Sequence, residues 1–273
     1  MKTARPRAPI LMGILNVTPD SFSDGGKYLD PRAALKHARQ MLAQGATCLD
    51  LGAESTRPRS LAAPAKEQLR RLLPVLRALR KQTSVLISID TRSAVVAAAC
   101  LAEGAGMIND ISALRGDRNM FKVLAASDCQ IILMHMRGTP RTMQRRPVYK
   151  DVVAEIGDFF RERVAFCQKA GIQRSRLWLD PGIGFGKTQA HNLEILRRLK
   201  EFTALGLPIA VGVSRKSFLG SLTGETMPER RLTASVCAGI LAVERGAALL
   251  RVHDVAEHAA ALRVAEELRN DEG

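Results

Sequence analysis

The run Asp180-Pro181-Gly182-Ile183-Gly184-Phe185-Gly186-Lys187 follows a short apolar stretch, Leu177-Trp178-Leu179. It joins a carboxylate, a proline and three glycines at every second position. The proline ends a β-ladder, and the glycines let the backbone lie close to something flat or anionic. Two glycine motifs can be tested against it. A phosphate-cradling loop of the form Gly-x-x-x-x-Gly-Lys-Ser/Thr fits at Gly186-Lys187-Thr188, but its first glycine falls on Pro181. A dinucleotide fingerprint, Gly-x-Gly-x-x-Gly, fails at its last spacing. What remains is a strand that presents Asp180 at its end, beside a tight loop.

Other apolar runs end in the same way. In order they carry Asn16, Asp50, Asp90, Asn109 with Asp110, His135, Asp180, Ser214, and Arg251 with His253. A polar group buried without a partner costs roughly 1–3 kcal/mol, so eight such strand ends imply a polar ligand that satisfies them. Several carboxylates and an amide suit a ligand edge rich in N–H donors, as in a planar 2-amino-4-oxo heterocycle such as guanine or pterin. Asp180 would accept two parallel hydrogen bonds from it. Asp90 and Asn109 would read further ring positions, and Lys216 would donate to a ring carbonyl. Arg251 and His253, two residues apart on one strand face, would donate to phosphate oxygens. Asn16 is an uncharged oxygen ligand of the kind that suits Mg²⁺ arriving with a diphosphate.

These groups need a scaffold that brings strand ends together. Strand-type runs occur near 10–17, 47–52, 85–90, 106–110, 129–136, 177–181, 208–214 and 248–253. Between them lie segments with helical spacing, clearest at Leu69, Leu72, Leu73, Leu76 and Leu79, with a kink expected at Pro74. Gly45, Gly104 and Gly246 each stand where a helix would end before a strand, forming a weak helix–glycine–strand repeat. Eight strands alternating with helices over 273 residues predict a closed (β/α)8 barrel whose active site gathers at the strand C-termini. No linker divides the chain, which reads as one domain over 1–273 with a core of about 9–268. Polar loops after the first two strands, 18–26 and 53–58, are candidate lids.

Composition narrows the class. The net charge of +14 suits an anionic partner, but the basic residues are scattered and aromatics make up 4%. No stacking platform or nucleic-acid module is present, so nucleic-acid binding is not expected. The apolar run at 10–17 is too short to span a bilayer, and no membrane association is expected. Five cysteines, widely spaced and without a Cys-x-x-Cys pair, predict buried structural thiols in a cytoplasmic protein.

The segment Gly13 to Gly26, reading Gly-Ile-Leu-Asn-Val-Thr-Pro-Asp-Ser-Phe-Ser-Asp-Gly-Gly, resembles the first signature of the dihydropteroate synthase family of pterin-binding enzymes. In family order follow Glu54 to Pro58, Ile89 to Thr91, Ile108 to Asp110, Met134 to Met136, Asp180 to Gly182 with Gly184 to Lys187, Ser214 to Ser217, and Arg251 to Asp254. The resemblance covers nearly the whole chain. It implies condensation of 6-hydroxymethyl-7,8-dihydropterin diphosphate with 4-aminobenzoate to 7,8-dihydropteroate and diphosphate, a transferase step in folate biosynthesis. By its motifs Asp90, Asn109, Asp180 and Lys216 would hold the pterin. Thr56, Arg251 and His253 would hold the diphosphate, with Asn16 on Mg²⁺. Phe185, Ser217 and Lys216 would border the aminobenzoate pocket. The resemblance further implies a homodimer and a sulfonamide target.

Ala53, Arg59 and the pair Arg92-Ser93 depart from the family pattern, which bears on the second loop and the third strand. The implied chemistry is a dissociative substitution in which Asp90, Lys216, Arg251 and His253 act as the catalytic groups, by position and electrostatics. No Ser-His-Asp or Cys-His arrangement is evident, and a weakly basic aromatic amine needs none. Two rival readings are a methyltetrahydrofolate-dependent methyltransferase serving a corrinoid partner and a non-catalytic basic binding protein.

Overall fold

The computed structural model describes residues 8–17, 31–54 and 63–270. Its strands are β1 (Ile10–Asn16), β2 (Cys48–Gly52), β3 (Leu86–Asp90), β4 (Met107–Asp110), β5 (Gln130–Met134), β6 (Leu177–Asp180), β7 (Ile209–Val211) and β8 (Ala247–Val252). They pair in chain order, all parallel, and β8 closes on β1. Helices α1 (Pro31–Ala43), α2 (Ala65–Arg80), α3 (Ala94–Ala102), α4 (Met120–Ala125), α5 (Val152–Lys169), α6 (Gln189–Arg197), α7 (Ser217–Thr223), α8 (Leu232–Glu244) and α9 (Val255–Asn270) lie between and after them. The closed (β/α)8 barrel expected from the strand count is the observed fold.

Two separate apolar clusters show which side of each strand faces inward. Met12, Cys48, Met107, Ile132, Ala210 and Leu249 pack together with Ile10, Leu86 and Trp178, plugging the barrel axis. Leu11, Leu15, Leu49, Leu51, Ile87, Ile89, Ile108, Ile131 and Leu133 belong instead to the larger core under the helices. Side chains alternate along a strand, so residues two or four beyond a plug residue point inward at the C-terminal mouth. From Met12 the count reaches Asn16, from Cys48 it reaches Asp50, and from Leu86 it reaches Asp90. From Met107 it gives Asn109, from Trp178 Asp180, and from Leu249 Arg251. The same count excludes Asp110 and His135, which fall on the other side.

The helix–glycine–strand turns are present, with φ of 106° at Gly45, 91° at Gly104 and 99° at Gly246. Gly171, with φ 85°, and Gly206, with φ 63°, make the same kind of turn before β6 and β7. Helix α2 runs continuously across Pro74 and buries Leu72, Val75, Leu76 and Leu79. Leu69 and Leu73 pack only at its margin. Gly13 in β1 admits α1, since a Cβ there would meet Met41 Sδ at 2.7 Å. Of the five cysteines, Cys48, Cys100, Cys129 and Cys167 are buried and unpaired, whereas Cys237 is exposed. The expectation of buried thiols is therefore corrected at Cys237, which α8 turns outward. No helix among the described residues is long and apolar enough to cross a membrane.

Candidate active site

Arg251 stands at the centre of the mouth. Its Nε donates to Asp50 Oδ2 at 2.6 Å and its Nη2 to Asp90 Oδ2 at 3.0 Å. Asn109 Nδ2 also donates to Asp50 Oδ2, at 3.2 Å, which leaves Asn109 Oδ1 buried with no partner. Asp50 Oδ1 is likewise buried and unpartnered. Asp50, Asp90, Asn109 and Arg251 thus form one contiguous network contributed by four strands. Register explains it: β2 pairs Gly52 with Asp90, and β3 pairs Asp90 with Asn109. Gly52 keeps the space open, because a Cβ there would meet Asp90 Cβ at 3.6 Å and Asn16 Oδ1 at 3.7 Å.

Burial works against the charge of Asp90, Asp180, Lys216, Arg251 and His253. It raises the Asp90 carboxyl to about 7, opposed by Arg251 and reinforced by the neighbouring acids Asp50, Glu54 and Asp110. Asp180 is raised by the same cause, opposed by the Gly182 N–H and then Lys216. Lys216 is pushed down to about 8 by burial and then by Arg251. For Arg251 burial is offset by Asp50 and Asp90, so its guanidinium stays charged. His253 is held down to about 3 by burial and Arg251, leaving it a neutral imidazole. It lies one residue beyond β8, with Nδ1 at 3.0 Å from the Ser214 hydroxyl, which also accepts the His253 backbone N–H at 3.2 Å.

The glycine loop forms the opposite wall. Asp180 Oδ1 accepts the Gly182 N–H at 2.7 Å. Gly182, Gly184 and Gly186 all take positive φ, at 67°, 83° and 64°. A Cβ on Gly182 would fall 2.0 Å from the His135 carbonyl oxygen, and one on Gly184 would fall 3.2 Å from Lys216 Cδ. Phe185, half-buried, lies beneath Lys216 with the Nζ 4.2 Å from its ring centroid. It packs on Ile111, Met134, Met136 and Met143, an apolar patch at the mouth. Lys216 caps α7 and Ser217 is exposed at its first turn. Arg215 holds that turn: φ is 59°, and its guanidinium donates to Asp254 Oδ2 at 3.0 Å.

Two strand-end groups, Asp110 and His135, serve the protein rather than a ligand. Asp110 accepts the Ser112 N–H at 2.7 Å, the Ser112 hydroxyl at 2.6 Å and the Leu114 N–H at 3.0 Å, fixing the turn after β4. His135 receives the amine of Lys187. Asp50 is spanned by Arg251 and Asn109, and its central place was not foreseen. The inference that all eight strand ends need a ligand is corrected to this extent. Counting by two from Cys48 would have identified Asp50.

Thr56, Arg59 and the first signature from Thr18 to Gly26 lie outside the described residues. The other departures have structural partners. The Ala53 carbonyl accepts Arg71 Nη1 at 2.9 Å, and Arg92 donates to Glu54. Gln68 donates to Glu54 at 3.1 Å and to the Ala63 carbonyl at 2.8 Å, tying together the two ends of the second loop. Among the described residues no group of three His, Cys, Asp or Glu side chains could hold a metal ion.

Comparison with known proteins agrees with this fold. A family model described as pterin binding enzyme matches residues 12–253. The dihydropteroate synthase of Escherichia coli (strain K12) is 45% identical over 258 residues, 94% of this chain and 91% of the relative. A structure of the Xanthomonas albilineans dihydropteroate synthase with 4-aminobenzoic acid superposes with a TM-score of 0.91 at 46% identity, covering 96% and 94% of the two chains. One from Yersinia pestis, in complex with a sulfonamide drug, gives 0.92 at 43% identity, also covering 96% and 94%. From its first strand to its last, the chain belongs to the dihydropteroate synthase family of pterin-binding enzymes.

Proposed function

We propose that this site condenses 6-hydroxymethyl-7,8-dihydropterin diphosphate with 4-aminobenzoate, releasing diphosphate and 7,8-dihydropteroate. The observation that carries the reading is the inward convergence of Asp90, Asn109, Arg251 and Asp50 in one bonded network, in a chain of this family. Asn109 Oδ1, buried and unpartnered, awaits a ring N–H donor. Asp180 has one oxygen on Gly182 and would turn its carboxylate to the 2-amino edge. Lys216 would donate to the ring carbonyl.

Substitution begins with heterolysis. The C–O bond of the pterin methylene breaks, its electron pair leaves with diphosphate, and positive charge spreads into the ring. Arg251 and His253 would stabilise the leaving group. His253, neutral and with Nδ1 at the Ser214 hydroxyl, would offer a hydrogen on Nε2. Asp90, once ionised, would face the cationic ring. The aminobenzoate nitrogen then donates its lone pair to the methylene, and the new C–N bond releases one proton. Holding the amine against Phe185, Lys216 and Ser217 makes that attack effectively unimolecular. Thr56 would add a diphosphate contact.

Asn16 supports a role for Mg²⁺. Its side-chain oxygen is hard, uncharged, half-buried and close to Asp90 across Gly52, which suits an ion that keeps most of its water. When bound with the diphosphate, the ion would supply charge neutralisation on the leaving group.

Two copies would assemble as a homodimer, in keeping with the family likeness, and light scattering checks this. One domain spans the chain, consistent with the unbroken barrel. The four buried, unpaired thiols support a reducing, cytoplasmic setting. The deciding assay combines purified protein, pterin diphosphate, 4-aminobenzoate and Mg²⁺. Dihydropteroate should form and a sulfonamide should compete with aminobenzoate, whereas absence of product refutes the reading.

A further inference from the structure

Lys187 is the most buried charged side chain of the glycine loop, 3% exposed against 8% for Asp180. Its Nζ lies 2.9 Å from the Gly182 carbonyl, 2.9 Å from the Phe185 carbonyl, 3.3 Å from the His135 carbonyl and 3.1 Å from His135 Nδ1. One amine therefore ties the end of β5 to both turns of the loop. With positive φ at Gly182, Gly184 and Gly186 the loop leaves its carbonyls outside any β-ladder, so they need other donors. Outside, Gln144 Nε2 holds the Gly184 carbonyl at 2.7 Å and the Tyr149 hydroxyl holds that of Gly186 at 2.9 Å. Inside, Lys187 donates to the Phe185 and Gly182 carbonyls, the latter shared with the Phe185 N–H at 3.0 Å. A buried amine is costly, and burial drives it down to about 7. A nonpolar side chain would fill the space, but only a polar head at the end of a long stem reaches these acceptors.

What the loop carries makes this clamp functional. Phe185 is the residue between the two clamped turns, and Lys216 rests on its ring and against Gly184. We infer that Lys187 is a positioning residue that fixes Phe185 for the aminobenzoate half of the reaction, without touching either substrate. This rests on the function proposed above. Asp90, Asn109 and Arg251 are held by their own bonds and do not depend on the clamp.

The test compares wild type, Lys187→Met and Lys187→Gln, each shown folded by circular dichroism. The KM for 4-aminobenzoate and the calorimetric affinity for the pterin substrate are read separately. Loss of the clamp should raise the aminobenzoate KM about tenfold or more and leave pterin affinity within about threefold, with Lys187→Gln the milder. In a double-mutant cycle the KM effects of Lys187→Met and Phe185→Ala should be strongly non-additive. An unchanged KM, an equal loss for both substrates, or additive effects would overturn the inference. So would failure of both variants to fold, which would make Lys187 a stability residue only. Wild-type protein that forms no dihydropteroate would sink the functional reading instead, leaving these outcomes distinguishable.

Discussion

Arg251 Nε lies 2.6 Å from Asp50 Oδ2, joining the last strand to the second across the barrel mouth. Asp50 is fully buried, and the Arg251 side chain is 22% exposed. Removing one partner of such a pair leaves an uncompensated buried charge, at a cost of about 3–5 kcal/mol. Arg251→Ala should therefore lose stability by about 3 kcal/mol in urea denaturation at neutral pH, besides losing turnover. Asp50→Asn, which keeps the shape and one acceptor, should lose less stability but lower kcat/KM by freeing Arg251 and Asn109 to rotate. Equal urea midpoints for wild type and Arg251→Ala would show the pair to be energetically idle.

Asp90 and Asp180 should separate binding from chemistry. Asp180→Ala should abolish calorimetrically detectable pterin binding. Asp90→Asn should keep much of that binding and lose kcat by about a hundredfold or more, since it removes a charge needed in the transition state. Unchanged pterin affinity in the first variant, or near wild-type turnover in the second, would reassign the residue concerned.

Turnover should depend on pH in a narrow bell. The Asp90 carboxyl, raised to about 7, must be ionised, and the Lys216 ammonium, lowered to about 8, must be protonated. The profile of kcat/KM should fall on the acid side through the first value and on the alkaline side through the second. Asp90→Asn should remove the acid limb from its residual activity, and Lys216→Arg should move the alkaline limb upward. A profile flat between pH of about 6 and 9 would rule out both assignments.

Acid should weaken the fold as well as the chemistry. Burial and then Lys187 push the imidazole of His135 down to about 2, whereas an unfolded histidine titrates near 6.5. The unfolded chain therefore binds the extra proton first. Stability from the neutral imidazole is complete above about pH 6.5 and is lost below it, at about 1.4 kcal/mol per pH unit. His135→Gln should flatten the decline of unfolding free energy between pH of about 6.5 and 4.5 relative to wild type. Parallel curves would show that His135 takes no part in it.

Much of this architecture can be read from the chain itself, for identifiable reasons. The strands are short apolar runs punctuated by glycines, and period-two alternation carries Cys48 to Asp50, Met107 to Asn109 and Leu249 to Arg251. Asp110 and His135 end their strands as their neighbours do, and only parity separates them. One side faces the axis and the other faces the helices, so Asp110 folds back on its own turn and His135 meets Lys187. Cys237 is exposed on α8, a helix apolar nearly all round whose sequence gives little sign of which side meets solvent. Which partner satisfies Arg251 was illegible too, since Asp50 and Arg251 are separated by 201 positions and meet only when the barrel closes.

The wall formed by Gly182, Gly184 and Gly186 bears on inhibitor design. Two of its positions admit no side chain, since a Cβ at Gly182 or Gly186 would strike the carbonyl oxygens of His135 or Arg137 at 2.0 and 2.6 Å. A compound that leans on this strip presses on atoms that a single codon change cannot remodel without wrecking the pocket. Escape from such a drug would have to arise elsewhere on the rim.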